Sequence, residues 1–297
     1  MMKTTALLAA LILLLGAATA DHHTVEVFVH GEQLVTEPAA RLHEGVAYAP
    51  LRAISEAVGA EVTWLAHRQT AVVCEGDRCV DITRDEALVV DGAMLVPVRL
   101  LAEALEKTVD WHENTRQISV REKDSAVGMK AIPLSLAGVD GPYELSGYGE
   151  KVATCIVFWS NHCPTIIAYQ ERFIALVEQY KPKGIEFVAI GSNCPERYPA
   201  DNFENMKIRA QEKGYNFAYV HDATQEVARS YRAERTPDVF LVGPEGFVVY
   251  RGRIESDQDP AKVTRHDLRE ALDEMLAGKP VSVKDTPPHG CTIKWAQ

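Results

Sequence analysis

The stretch that most limits what this chain can fold into is Ala153 to Ile167, ATCIVFWSNHCPTII. Cys155 to Trp159 is a short, wholly apolar run rich in β-formers, the pattern of a strand covered on both faces. Ser160, Asn161 and His162 break the run, Cys163 follows, and Pro164 opens a helical pattern. In that pattern Ile167, Phe173, Ile174 and Val177 are apolar while Gln170, Glu171 and Glu178 are polar. Proline suits a first helical turn, where its missing N–H is not needed. The implied geometry is a thiol at the junction of strand and helix, facing the positive end of the helix macrodipole.

Such a position stabilises a thiolate and lowers a cysteine pKa from its free value near ~8.5. His162 adds to the effect if it faces the sulfur. Cys163 is therefore the expected reactive centre, provided that the sulfur meets solvent and ionises near neutral pH. Cys155, in mid-strand, reads instead as a small buried hydrophobe.

The pattern on either side completes a layered domain. Gly138, Gly141, Gly147 and Gly149 suit a hairpin leading into the Cys155–Trp159 strand. After it the periodicity predicts a helix over 164–181, a strand over 185–191, a loop over 192–202 and a helix over 203–213. A strand near 217–220, a helix over 224–232, strands over 238–242 and 247–251, and a helix near 264–277 follow. This order gives an α/β sandwich with a mixed sheet.

The first part of the chain is a repeat. Residues 45–64, GVAYAPLRAISEAVGAEVTW, match residues 92–111, GAMLVPVRLLAEALEKTVDW, with Pro50 on Pro97, Arg52 on Arg99, Glu56 on Glu103 and Trp64 on Trp111, always 47 positions apart. A constant, gapless offset across so many residue types marks an internal duplication. Each copy reads as a strand, a proline at a helix entrance, a short amphipathic helix, and a strand opened by tryptophan. Leu51, Ile54, Ala57 and Val58 are expected on one helical face, and Val98, Leu101, Ala104 and Leu105 on the other copy's. The tryptophans are expected to cap the core, and each Arg–Glu pair to lie on the helix surface.

At 297 residues with 46% hydrophobic content, the chain has room for two domains. The expected division is a signal peptide over 1–20, the duplicated α+β domain over 24–122, a linker over 123–130 and the α/β domain over 131–297. Lys3, the run from Ala6 to Leu15 and the small-x-small site Ala18-Thr19-Ala20 make up the signal peptide, with Asp21 the expected mature N-terminus. No other segment is apolar enough to span a bilayer, so no stable membrane insertion is expected. The expected address is extracytoplasmic (periplasmic, cell-envelope or secreted), where disulfides persist. A formal charge of −11 argues against nucleic acid as a partner. A mature N-terminus Asp21-His22-His23 has the pattern of a square-planar Cu(II) or Ni(II) site, but a frayed, solvated terminus is the expected reading. The first domain has no histidine cluster with ligand spacing, and neither metal nor cofactor is expected. Cys74 and Cys79 flank Glu75-Gly76-Asp77-Arg78, a turn between strand-like runs, and are placed for a hairpin disulfide.

Two resemblances add to this reading. The motifs PLRAISEAVGAEVTW and PVRLLAEALEKTVDW make residues 24–122 similar to the copper amine oxidase N-terminal-like (stalk) domain, which implies a spacer or docking module for a cell-envelope partner. FWSNHCP, followed by RTPDVFLVGPEGFVVYRGRI, resembles the thioredoxin-like redoxins of the alkyl hydroperoxide reductase/thiol-specific antioxidant superfamily. Within it, Asn161-His162-Cys163-Pro164, Glu204-Asn205-Met206-Lys207 and the tail Gly290-Cys291-Thr292-Ile293-Lys294-Trp295 look like the peroxiredoxin-like NHCP group.

The resemblance implies a thioredoxin fold and a cis Thr236-Pro237 turn beside the active cysteine, leaving Thr236 backbone groups open to an extended substrate. It implies thiol–disulfide exchange with protein disulfides, or peroxide reduction, with an external thiol as reductant. The chain departs from the pattern at both flanking cysteine positions, where Ser160 and Ile166 stand, and Ser160 is expected to hydrogen-bond the thiolate. Pro237 falls where peroxiredoxins carry an arginine, a place that Arg235 or Arg253 would fill only if the fold brings one of them close. Cys291 and Cys194 remain as candidates to resolve the oxidised sulfur, with Cys291 preferred. The contrasting reading is a non-catalytic envelope scaffold on a thioredoxin fold that has lost its dithiol.

Overall fold

The computed structural model describes residues 24–296. The signal peptide and the start at Asp21 lie outside them. Among the described residues no helix is long and apolar enough to cross a membrane, and no group of His, Cys, Asp and Glu is arranged to hold a metal.

The duplication at offset 47 is visible element by element. Strand Val46–Pro50, helix Leu51–Ala57 and strands Glu61–Leu65 and Thr70–Glu75 recur as Ala93–Pro97, Val98–Ala104, Lys107–His112 and Gln117–Glu122. The copies meet along an antiparallel pairing of Tyr48 with Pro97, Ala49 with Val96 and Pro50 with Leu95. Ile54 and Leu101 are fully buried in one shared core.

Two details differ from the sequence pattern. Ala104 is exposed, Ala57 is half-buried, and Ser55 and Ala102 are buried instead. Positions 51, 55 and 58, like 98, 102 and 105, are spaced i, i+4, i+7 and share a face; Ala57 packs at its margin, while Ala104 is turned away. Trp64 caps nothing: it is 46% exposed, while Trp111 packs against the core. Arg99 and Glu103 form the expected surface pair at 3.3 Å.

Cys74 and Cys79 lie opposite each other on adjacent strands and are disulfide-bonded. Closing so short a loop constrains the unfolded chain little. Replacing both by serine is expected to cost no more than about 2 kcal/mol of stability, measured by urea unfolding, without changing the reactivity of Cys163.

The second domain is built on a seven-stranded mixed sheet in the order Gly141–Leu145, Leu134–Gly138, Ala218–His221, Ile185–Gly191, Ala153–Trp159, Asp238–Val242, Val248–Gly252. The strand at its heart, Ala153–Trp159, is buried at every residue. Cys155, Val157 and Trp159 enter one core with helix Pro164–Tyr180, and Ile156 and Phe158 enter the core on the other face. This two-sided burial is why the run shows no alternation. Ala153–Trp159 runs parallel to Ile185–Gly191, so the loops carrying Cys163 and Cys194 leave the sheet at the same rim. Phe158 pairs with Asp238 in the antiparallel neighbour, which brings Thr236-Pro237 to that rim as well.

The two domains touch. Phe28 stacks on Phe247 at 4.3 Å between ring centroids, and Lys130 donates to Gln117 Oε1 at 2.7 Å. A Cβ on Gly31 would lie 2.4 Å from the Val248 carbonyl oxygen, so only glycine permits this approach.

Candidate functional site

Cys163 is the N-cap of helix Pro164–Tyr180, with Pro164 in the first turn. Its sulfur lies 3.0 Å from the Thr236 carbonyl oxygen, to which the thiol donates, and the Thr236–Pro237 bond is cis. Burial pushes the Cys163 thiol up. Acting against burial, the Thr236 side chain, the Ile166 backbone N–H and the side chain and N–H of Cys291 hold it below the usual thiol value. The Thr236 hydroxyl is buried and makes no hydrogen bond of ordinary geometry among the described residues. The Ile166 N–H is one of the unpaired donors of the helix start, so part of this effect is the strand–helix junction itself.

Cys291 adjoins Cys163 because the tail returns. Residues Cys291–Thr292 form a strand antiparallel to Arg235–Thr236, with Thr236 opposite Cys291 and Arg235 opposite Thr292. Burial pushes the Cys291 thiol up to about 11, helped by its hydrogen bond to Cys163 and by the neighbouring charge. The two neighbouring thiols are thus shifted in opposite directions, Cys163 down and Cys291 up. Such asymmetry suits a nucleophile and a partner that acts second.

Cys163 is nevertheless 0% exposed. The sequence pattern called for a solvent-reachable thiol, whereas the sulfur belongs to the buried core, with Cys291 of the returning tail packed against that core. Cys155 is also wholly buried, and burial alone raises its thiol, as suits inert core.

Ser160 and His162 do not serve the sulfur as expected. The Ser160 hydroxyl donates to Asp201 Oδ2 at 3.0 Å and lies 3.1 Å from His162 Nδ1. His162 Nδ1 is 2.5 Å from the same carboxylate, and its ring stacks on Tyr198 at 4.7 Å. The Asn161 N–H and the Asn193 amide complete the set around Asp201, which is 2% exposed. A buried carboxylate needs several donors, and three groups of the loop before Cys163 together with Asn193 of the neighbouring loop supply them. Asp201 thereby fixes the loop before Cys163, a role with no local signal because it stands 39 residues away from His162.

Of the remaining candidates, Arg253 and Cys194 are engaged elsewhere, and Arg235 lies beside the tail. Arg253 is held by Asp267 at 2.7 Å, and Arg235 donates to the Gly290 carbonyl at 2.9 Å. Cys194 is buried, and its thiol donates to Glu196 Oε2 at 3.1 Å. Its backbone N–H donates to the Lys294 carbonyl, so Cys194 touches the tail through main chain rather than sulfur.

The AhpC/TSA family matches residues 127–251, a span that holds Cys163 and Thr236-Pro237 and stops short of the tail. The copper amine oxidase N-terminal domain matches residues 28–90 and 82–132. No curated protein matches the chain. Among solved structures, an uncharacterized conserved protein from Geobacillus kaustophilus is 42% identical over 57% of this chain and 91% of its own, with a TM-score of 0.54. A hypothetical protein from Sinorhizobium meliloti is 34% identical over 57% of this chain and 93% of its own, with a TM-score of 0.53. Residues 127–251 thus match the AhpC/TSA family, and residues 28–132, largely ahead of them, match the copper amine oxidase N-terminal domain.

Proposed function

We propose that this protein is an extracytoplasmic thiol oxidoreductase in which Cys163 attacks an oxidant and Cys291 resolves the product. The observation that carries this reading is geometric: Cys291 is paired opposite Thr236, whose carbonyl lies 3.0 Å from the Cys163 sulfur. The Cys163 thiolate attacks the O–O bond of a hydroperoxide, forming a sulfenic acid as hydroxide or alkoxide leaves. With a disulfide it forms a mixed disulfide as a thiolate leaves. Cys291 then attacks the Cys163 sulfur. Its proton departs with the leaving group as water or thiol, and a Cys163–Cys291 disulfide remains. An external thiol reductant restores both groups.

The buried Thr236 hydroxyl and the Ile166 N–H support the thiolate in either chemistry. Arg253, engaged by Asp267, offers no support for a peroxide-activating arginine. The apolar run from Ala6 to Leu15 and the Cys74–Cys79 disulfide support an oxidising, extracytoplasmic setting. There the duplicated domain would act as spacer or docking module for an envelope partner.

Complete burial of Cys163 favours the contrasting reading of a scaffold. Mapping disulfides by mass spectrometry after mild oxidation separates the two. The expected result is a Cys163–Cys291 link that dithiothreitol reverses. Cys163 recovered as a free thiol, or linked to Cys194, would contradict the assignment.

A further inference from the structure

The strand edge beside a reactive cysteine is where an extended polypeptide pairs its backbone and presents a sulfur. Here the chain's own tail fills that edge. Cys291 sits opposite Thr236, the register a substrate cysteine would take, and its thiol meets Cys163.

The tail is built in rather than draped over the surface. Asn193 and Gln225 are 4% and 3% exposed, and both spend side-chain atoms on it. The Lys294 N–H donates to Asn193 Oδ1 at 2.8 Å, Gln225 Nε2 donates to the Lys294 carbonyl at 2.9 Å, and the Ala296 N–H donates to Gln225 Oε1 at 2.8 Å. The Ile293 N–H donates to the Glu234 carbonyl at 2.9 Å, and the Ile293 side chain is 4% exposed in the core. At Gly290 the backbone has φ +148°, and a Cβ there would lie 2.1 Å from the Thr236 carbonyl oxygen. Only glycine lets the strand come this close.

We infer that residues 290–296 are an intramolecular occupant of the substrate edge, reserving Cys163 for small oxidants with an O–O or S–S bond and excluding extended polypeptide disulfides. This rests on the reading of Cys163 as the attacking thiol, and the chemistry is the exchange written above. A small molecule needs only local opening around the sulfur. A polypeptide needs the whole strand displaced, so its apparent reactivity is reduced by the fraction of molecules in which the tail is open.

The test isolates the first step by using the full chain with Cys291→Ser, which keeps the backbone pairing. It is compared with Gly290→Ala in that background and with a chain ending at Pro288, two independent ways of freeing the edge. Hydrogen peroxide, bis(2-hydroxyethyl) disulfide and a single-cysteine peptide blocked as its mixed disulfide with 2-mercaptoethanol are each supplied in excess. The rate of Cys163 modification is read by mass spectrometry, with the sulfenic acid trapped by dimedone.

Freeing the edge is expected to accelerate reaction with the peptide by about tenfold or more, and with the two small oxidants by less than about threefold. Equal acceleration of all three, or a peptide reacting with the closed chain as fast as bis(2-hydroxyethyl) disulfide does, would overturn the inference. A Cys163 that no oxidant modifies in any of the chains would instead overturn the reading on which the inference rests. Modification by hydrogen peroxide alone in the closed chain, with both disulfides gained on freeing the edge, would overturn the small-disulfide part and leave an oxidant with an O–O bond.

Discussion

Cys163→Ser is expected to abolish oxidant consumption, lowering turnover with hydrogen peroxide or a small disulfide by at least about a thousandfold, because Cys291, the other thiol at the site, is held toward its protonated form. The substitution is close to isosteric, and a serine hydroxyl also suits an N-cap, so the thermal unfolding midpoint should change little. Cys291→Ser differs in kind. It should leave attack on Cys163 intact and remove the intramolecular disulfide, so that the sulfenic acid or mixed disulfide accumulates. Full turnover in Cys163→Ser would remove the chemistry from this sulfur.

Asp238→Ala should produce the largest loss of stability among single changes near the site. Asp238 is fully buried directly after Pro237. It accepts from Arg251 Nη2 at 3.1 Å and from the Glu234 N–H at 3.0 Å. Removing the carboxylate leaves the Arg251 guanidinium without its buried counter-charge, a change that costs about 3–5 kcal/mol where one partner of a buried pair is deleted. The residues it anchors, 234–237, carry the Thr236 carbonyl and hydroxyl that face Cys163, so the variant should also react more slowly. A denaturant midpoint within error of the parent chain would show that the pair contributes nothing to holding this turn.

Much of this was legible in the sequence because it is local. The unbroken apolar run Cys155–Trp159 reports two-sided burial, and Pro164 reports a helix start. The constant offset of 47 reports a duplication whose copies then pair with each other. What stayed hidden depends on chain segments meeting from far apart. Nothing near Asp201 says that its carboxylate will gather Ser160, His162, Asn161 and Asn193. For the same reason Ser160 and His162, read as neighbours of the sulfur, are turned to a stronger acceptor. Asn193 and Gln225 look like ordinary loop polars until the tail arrives to use them. The choice between Cys291 and Cys194 depends on the return of the tail, which pairs Cys291 with Thr236 beside Cys163 while the Cys194 thiol donates to Glu196.

The burial of Cys163 and its inclination to ionise pull in opposite directions, and the account stands on the second prevailing. The direct measurement is the rate of Cys163 alkylation by iodoacetamide as a function of pH, quantified at that residue by mass spectrometry so that Cys194 and Cys291 do not contribute. Below its midpoint the group is a protonated, unreactive thiol, and above it a thiolate. The Thr236, Ile166 and Cys291 donors should therefore place the midpoint below that of an ordinary thiol near ~8.5. A midpoint at or above that value would mean that burial wins, and that the junction of strand and helix holds a structural sulfur.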